Sequence, residues 1–222
     1  MSTGNLLKIY FNVKILNFLD QIYIFQYYKN LKYCFLDIFF IFIYLFINPY
    51  KISKKFLFKK NKKNIYMYGE TPIKTLKRIV EECDISSKDK LIDLGAGRLK
   101  TSFWLSNIVG CNILAIEQIP IFTKIAFFLK KIFMIKNVKI KNDDFLKIDY
   151  EEATIIYLYG TCLEDYEIKK ISEKIKNNTK VISISYSLSH YFPKQYNLIK
   201  VFPVAFPWGE TKCYFCVKVK KV

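Results

Sequence analysis

With 222 residues, 52% of them hydrophobic and 18% aromatic, the chain is sized for one large domain or one domain with an appendage, and it is too apolar to be disordered. Seven glycines and six prolines exclude a collagen-like or linker-like chain; six cysteines over this length exclude a disulfide mini-scaffold, and one histidine excludes a multi-histidine metal site. The net charge is +17, yet of 36 basic residues only Arg78 and Arg98 are arginine, the residue whose planar fork reads phosphate and guanine, so nucleic acid is not the expected partner.

The N-terminal part differs from the rest. Residues 1–67 carry 11 lysines against Asp20 and Asp37 and lack an alternation of strands and turns. A boundary near residue 64 divides an apolar, basic helical segment (1–64) from a second unit (65–222). Two stretches of the first segment are apolar, Ile15 to Tyr28 and Tyr33 to Ile47. The second would make a helix about 22 Å long, short of the roughly 30 Å hydrocarbon core of a bilayer. Two membrane readings stay open: a hairpin dipping into one leaflet, or a span with snorkelling flanks. The third reading packs both stretches on the folded domain.

Lys51, Lys54, Lys55, Lys59, Lys60, Lys62 and Lys63 follow, with Phe56, Leu57 and Phe58 among them. Such mixing suits an anionic membrane surface, at around 1 kcal/mol per lysine. Only Lys29 and Lys32 lie close upstream, which places the C-terminal side of the run in the cytoplasm. The run begins too late for a secretory signal and no small-residue cleavage site follows it. The expected location is the cytoplasmic face of a membrane.

From residue 65 the pattern is that of a folded α/β unit. Thr71 as N-cap and Pro72 at the first helical position predict a helix, with Ile73, Leu76, Ile79, Val80 and Cys83 on one face. Seven short apolar runs then read as strands: Leu91–Leu94, Asn112–Ile116, Val138–Ile140, Thr154–Tyr159, Lys180–Tyr186, Leu198–Phe202 and Cys213–Val219. Helical stretches near 100–109, 120–135 and 163–177 alternate with the first five, which argues a parallel sheet covered on both faces. Pro203, Pro207 and Gly209 leave no helix between the last two runs, so these predict an antiparallel final pair.

Asp93-Leu94-Gly95-Ala96-Gly97 follows the first strand and precedes a helix. Glycines at such a turn let a ligand approach the backbone, and the helix start offers unpaired N–H groups. Glu117 ends the second strand twenty positions after Gly97, where a carboxylate is placed to accept both hydroxyls of a ribose. After the third strand comes Asn142-Asp143-Asp144-Phe145; a carboxylate there suits the exocyclic amine of adenine, with Phe145 along the ring.

Together these features resemble the class I S-adenosylmethionine-dependent methyltransferases. Asp93-x-Gly95-x-Gly97 matches the first motif, Glu117 the ribose-binding acid, and Asp144-Phe145 the adenine-side motif. The resemblance covers about residues 65–222. It implies a seven-stranded Rossmann-like sheet with an antiparallel last strand, S-adenosyl-L-methionine as cofactor, and methyl transfer as the activity. Leu99 stands where a third glycine is common, which predicts a narrowed pocket or a shifted helix. Tyr68-Gly69-Glu70-Thr71-Pro72 looks like the entry segment of small methyltransferases related to the ATP synthase c-subunit lysine methyltransferases, a segment that folds over the cofactor; Tyr68 and Thr71 are therefore cofactor-side candidates.

Tyr157-Leu158-Tyr159-Gly160-Thr161 ends the fourth strand, where the acceptor is commonly held and aromatic rings suit an amine. Glu70, Tyr159 or water would take a proton from such an amine. His190 follows strand five and Trp208 sits in the last turn, on the substrate side. Cys213 and Cys216 point to opposite faces of a strand and have no second pair to complete a zinc site. The alternative function is a degenerate, membrane-tethered cofactor-binding module.

Overall fold

The computed structural model describes residues 30–62, 68–150 and 152–220; the stretch Ile15 to Tyr28 and Lys63 lie outside them. Seven strands form one sheet: β1 (Lys90–Leu94), β2 (Asn112–Glu117), β3 (Val138–Asn142), β4 (Ile155–Leu158), β5 (Lys180–Ile184), β6 (Tyr196–Phe206) and β7 (Gly209–Lys218). Their order is β3-β2-β1-β4-β5-β7-β6. The pairs among β1 to β5 are parallel, and β7 runs antiparallel to both β5 and β6. The strand order reverses beside β1, between β2 and β4, which is where an open α/β sheet leaves a crevice at its carboxyl ends.

Side-chain alternation divides the core. Leu91, Ile113, Ala115, Ile155, Tyr157, Ile182 and Ile184 pack on one face; Ile92, Leu94, Ile116, Ile156, Leu158 and Val181 pack on the other. The first face is covered by α3 (Ile73–Glu82), α4 (Lys100–Trp104, continued by a π-helical turn Leu105–Val109) and part of α5 (Pro120–Ile132). The second is covered by α6 (Asp165–Lys174) and the short α7 (Leu188–Tyr191), which holds His190. Cys213 belongs to the first cluster and Cys216 to the second, as alternation requires.

Three local expectations change. Pro72, not Thr71, occupies the N-cap position of α3, and no side chain caps that helix. The Thr71 hydroxyl is instead paired with the buried Tyr157 phenol, where an unpaired hydroxyl would carry a desolvation cost of about 1–3 kcal/mol. Second, β6 continues through Pro203 to Phe206. It is an edge strand, where the missing N–H of proline leaves no inner ladder bond unmade.

Third, the boundary near 64 does not separate two cores. Helices α1 (Leu31–Phe46) and α2 (Pro49–Lys59) precede the sheet. Tyr33, Leu36 and Phe40 of α1, at i, i+3 and i+7, enter the same core cluster as Ile79 and Phe103. Asp37, the interruption in the apolar run, is buried on that inward side. The opposite side of α1 exposes Leu31, Phe35, Ile38, Phe39, Phe42 and Phe46. Among the described residues no single helix is long and apolar enough to cross a membrane; α1 and α2 together have the length and composition but meet at a 63° bend.

Candidate active site

A cleft opens at the carboxyl ends of β1, β2 and β4. Its walls include Gly95, Gly97, Glu117, Asp144, Phe145, Tyr159 and Gly160, with Tyr68 and Gly69 from the entry segment. It encloses about 1050 Å³ of empty space, open solvent included.

The turn after β1 is held by its own backbone. Gly95 and Gly97 take φ values of +77° and +56°, which glycine adopts without strain. The N–H groups of Gly95 and Ala96 both donate to the Ile116 carbonyl, at 2.9 and 3.0 Å. The Gly97 N–H donates to Glu117 Oε2 at 2.8 Å. The amides expected to face a ligand are therefore used to tie the turn to β2. Gly97 also supplies closeness, since a Cβ on it would lie 3.2 Å from the Tyr68 ring, whereas one on Gly95 would make an ordinary contact with Phe145 at 3.9 Å.

Glu117 is 5% exposed and lines the cleft. Its Oε1 accepts from the Ile119 N–H at 2.7 Å. Each carboxylate oxygen has two acceptor positions and uses one on the backbone, so each retains one. That is the complement of two adjacent hydroxyls, and the residues fit an adenosine ribose on this observation. Burial pushes the Glu117 carboxyl up to about 7, against the lowering pull of the Ile119 and Gly97 amides. Asp144 Oδ1 accepts from the Leu146 N–H at 3.0 Å, and both Asp144 and Phe145 face the cleft.

Asp93 lies elsewhere. By strand parity it faces α4, where its Oδ2 accepts from the Ser102 hydroxyl at 2.6 Å. It is buried, does not line the cleft, and burial raises its carboxyl to about 6. Its place is beneath the glycine turn, clamping the start of α4. Thr71 is likewise outside the cleft, in its contact with Tyr157.

Leu99 does not narrow the cleft. It takes φ +65° at the N-cap of α4, and its side chain is fully buried in the first core cluster. A glycine there would relieve about 1 kcal/mol or more of backbone strain but leave a cavity where truncation of a buried leucine costs about 2–5 kcal/mol. Leu99→Gly is thus expected to lower stability by at least about 1 kcal/mol in urea unfolding, and to leave cofactor affinity within about threefold. A stabilised variant would contradict the packing argument.

The two proton-acceptor candidates have different surroundings. Glu70 is held by both Nε and Nη2 of Arg98 and accepts from the Tyr68 hydroxyl. Burial alone would raise its carboxyl, but the charge and hydrogen bonds of Arg98, aided by Lys100 and Tyr68, hold it below the ordinary range. An anion so held is a weak base; Glu70 fastens the entry segment to the residue after Gly97. The Tyr159 ring stacks on Phe206 at 4.8 Å, which stacks on Trp208 at 5.5 Å. Trp208 Nε1 donates to Tyr159 Oη at 2.7 Å. Burial pushes the Tyr159 phenol up to about 12, so at neutral pH it is a hydrogen-bond donor and not a base. Gly69 is required beside it, because a Cβ there would lie 2.7 Å from Tyr159 Oη.

Several cleft residues escaped the sequence reading. Ser53 and Leu57 of α2 line the cleft, as do Lys60 and Lys62 just beyond it. Lys60 Nζ donates to Gln118 Oε1 at 3.0 Å, and Lys62 Nζ pairs with the buried Glu167 at 2.7 Å. Glu167 also completes a capping box with Glu164 at the start of α6, a spacing visible in the sequence.

A family model described as "Histone methylation protein DOT1" matches residues 52–200. No curated protein matches the chain. Among solved structures, the E81Q mutant of MtNAS in complex with S-adenosylmethionine superposes with a TM-score of 0.56 at 14% identity, over 67% of this chain and 62% of that one. The chain thus spans about six tenths of that protein's length. An RNA methyltransferase from Salinibacter ruber in complex with S-adenosyl-L-homocysteine gives 0.55 at 22% identity, over 69% of this chain and 95% of that one. A SAM-dependent O-methyltransferase from Thermotoga maritima gives 0.52 at 19% identity, over 70% and 68%. At these identities the structural likeness concerns the fold, and it is the family match, spanning most of the sheet, that carries membership: the chain belongs to the family described as histone methylation protein DOT1.

Proposed function

We propose that this chain methylates a protein amine, the side chain of a lysine, at the cytoplasmic face of a membrane. The observation that carries the cofactor half is Glu117, which keeps one acceptor position on each oxygen at the wall of the cleft. In this reading Glu117 holds the ribose hydroxyls, Asp144 the adenine amine, and Phe145 lies along the ring. Gly95 and Gly97 allow close approach, and Tyr68 and Gly69 cover the bound group. S-adenosylmethionine supplies a methyl group already activated on a sulfonium. The remaining work is alignment and exclusion of water, for which effective molarity accounts in large part.

The acceptor half rests on the mouth of the cleft. Tyr159 presents a protonated hydroxyl there, steadied by Phe206 and Trp208. An aromatic surface of this kind favours an amine over a carboxylate. The DOT1 family description points to a protein acceptor, and neither Glu70 nor Tyr159 is suited to remove the amine proton, so water is the acceptor of that proton.

The membrane half rests on α1. One side of it is in the protein core and the other is apolar apart from Lys32 in its first turn, an arrangement suited to lying in the interface and not to spanning it. Seven lysines in the thirteen positions after the run support the cytoplasmic side. The test is transfer of labelled methyl from S-adenosylmethionine to a membrane fraction and a soluble fraction, each separated into protein and lipid. Label in membrane protein, released as methyl-lysine on hydrolysis and absent with Asp144→Ala, is expected. Label confined to lipid or to soluble components would refute the acceptor.

A further inference from the structure

Helix α5 carries a second apolar face, on the catalytic sheet itself. It buries Phe122, Thr123, Ala126 and Leu129 against the core, at helical spacing. Its other side exposes Ile121, Phe127, Phe128 and Ile132, and Met134 follows at 74% exposure. A soluble helix of this kind would carry charges of both signs outward; here the outward side has Lys124 and Lys131 between the rings and no acid.

This face is continuous with that of α1. The Phe39 and Phe133 rings meet edge to face at 5.5 Å, and Tyr44 meets Phe122 at 6.4 Å. Lys32 Nζ donates to the Met134 carbonyl at 3.2 Å. Residue numbers rise along one helix as they fall along the other, so α1 and α5 lie antiparallel and side by side. The exposed apolar side of one therefore borders that of the other.

Charge selects the occupant. There is no Asp or Glu between Asp37 and Glu70 nor between Glu117 and Asp143. The lysines of the first stretch lie on and after α2, where Lys60 and Lys62 turn to the cleft; those beside the exposed rings are Lys32 at the start of α1 and Lys124, Lys130 and Lys131 on α5. A second copy of this chain would bring lysine against lysine across such a face, and a protein partner would have to be acidic and apolar at once. An anionic bilayer meets both demands: its headgroups take the lysines and its acyl boundary takes the rings, with lysine stems crossing between.

We propose that the outward sides of α1 and α5 form one lipid-binding face that seats the catalytic sheet on an anionic bilayer. This rests on the membrane reading given above and extends it from the N-terminal segment to the methyltransferase domain. Seating on two adjacent helices fixes the orientation of the domain, which contact through α1 alone would leave free to rock about that helix's axis. The cleft then has a constant attitude to the bilayer, since Ser53 and Leu57 of its wall belong to the helix that follows α1.

The test uses the full chain and vesicles of phosphatidylcholine with or without phosphatidylserine. The unaltered protein is expected to co-sediment with the anionic vesicles. Phe127→Ser, Phe128→Ser and Met134→Ser combined should weaken that partitioning at least tenfold, and Lys124→Gln with Lys131→Gln should lower its salt sensitivity without abolishing it. As these side chains are exposed, folding is checked by circular dichroism. In a separate variant, Phe128→Trp, vesicles with brominated acyl chains should quench the introduced indole beyond the background from Trp104 and Trp208. If the unaltered protein binds but the triple variant binds equally and the indole is not quenched, the α5 face is refuted and the membrane reading of α1 stands. If the unaltered protein binds no vesicle, both fall. A triple variant that changes from dimer to monomer without lipid would refute the lipid face in favour of a second copy.

Discussion

Glu117→Ala is expected to weaken S-adenosylhomocysteine binding by about 100-fold or more in calorimetric titration. Two hydrogen bonds from ribose hydroxyls to a buried carboxylate contribute about 1.5–3 kcal/mol each, and every 1.4 kcal/mol is about tenfold in affinity. Some of this is offset because the free protein no longer holds a buried carboxylate. The pH dependence separates the ribose contact from simple damage. Ribose hydroxyls donate, so they favour the ionised carboxyl; burial holds that carboxyl up to about 7. Affinity should therefore rise with pH through about 7, and Glu117→Gln should flatten the rise.

Stability should move the other way. A carboxyl raised in the folded state favours folding most below its unfolded value of 4.5 and loses that contribution as pH rises through about 7. Asp93, raised from 3.8 to about 6, acts in the same sense. The melting temperature of the free protein should thus carry a falling component over this window, smaller in Glu117→Ala. Affinity that is unchanged within threefold in Glu117→Ala would remove the ribose assignment.

The strands were legible because each is a short apolar run bounded by turn residues, and the central ones are apolar on both sides, as parallel strands covered by helices must be. The seven observed strands overlap the seven runs. Where a strand breaks that rule its limits were not legible: β6 runs through Pro203, because an edge strand tolerates what an inner one does not. Glu117 was legible from its distance to Gly97 along the chain. The place of Asp93 was not, since a one-residue step in a strand turns a side chain to the other face, and the motif alone does not say which face the crevice shares. The walls supplied by α2 were hidden most fully. A helix with Lys51, Lys54, Lys55 and Lys59 reads as a solvated or membrane-facing surface, and only tertiary packing reveals that Ser53 and Leu57 turn inward. Arg98 did leave a signal: in a chain that almost always uses lysine, an arginine beside the glycine turn implies a demand for its planar fork.

That demand gives the second large effect. Arg98→Met should destabilise the protein by about 1–3 kcal/mol, somewhat less than the 3–5 kcal/mol for breaking a fully buried pair, since the Arg98 and Glu70 side chains keep 17% and 26% of their exposure. Arg98 joins three segments: it grips Glu70 in the entry segment, follows Gly97 in the turn, and sits over the Tyr44 ring of α1 at 4.4 Å. Methionine preserves much of the contact with Tyr44 and removes the charge. Glu70 then keeps its burial without the cation that opposed it, so its carboxyl should move from below the ordinary range to above it. The sign of the pH dependence follows. In the parent, the Glu70 contribution is present above 4.5 and lost as pH falls through the lowered value; in Arg98→Met it should be lost as pH rises. Urea unfolding between pH 4 and 8 reads this inversion, and the double variant Arg98→Met with Glu70→Gln should abolish it and recover part of the stability. Equal slopes in parent and Arg98→Met would mean that the carboxylate is sufficiently hydrated without its partner, and then the entry segment is not held closed by this ion pair. With the inversion present, amide exchange at residues 68–71 should accelerate in Arg98→Met, because the same fork that neutralises Glu70 keeps Tyr68 against Gly97 and hence the roof of the cleft in place.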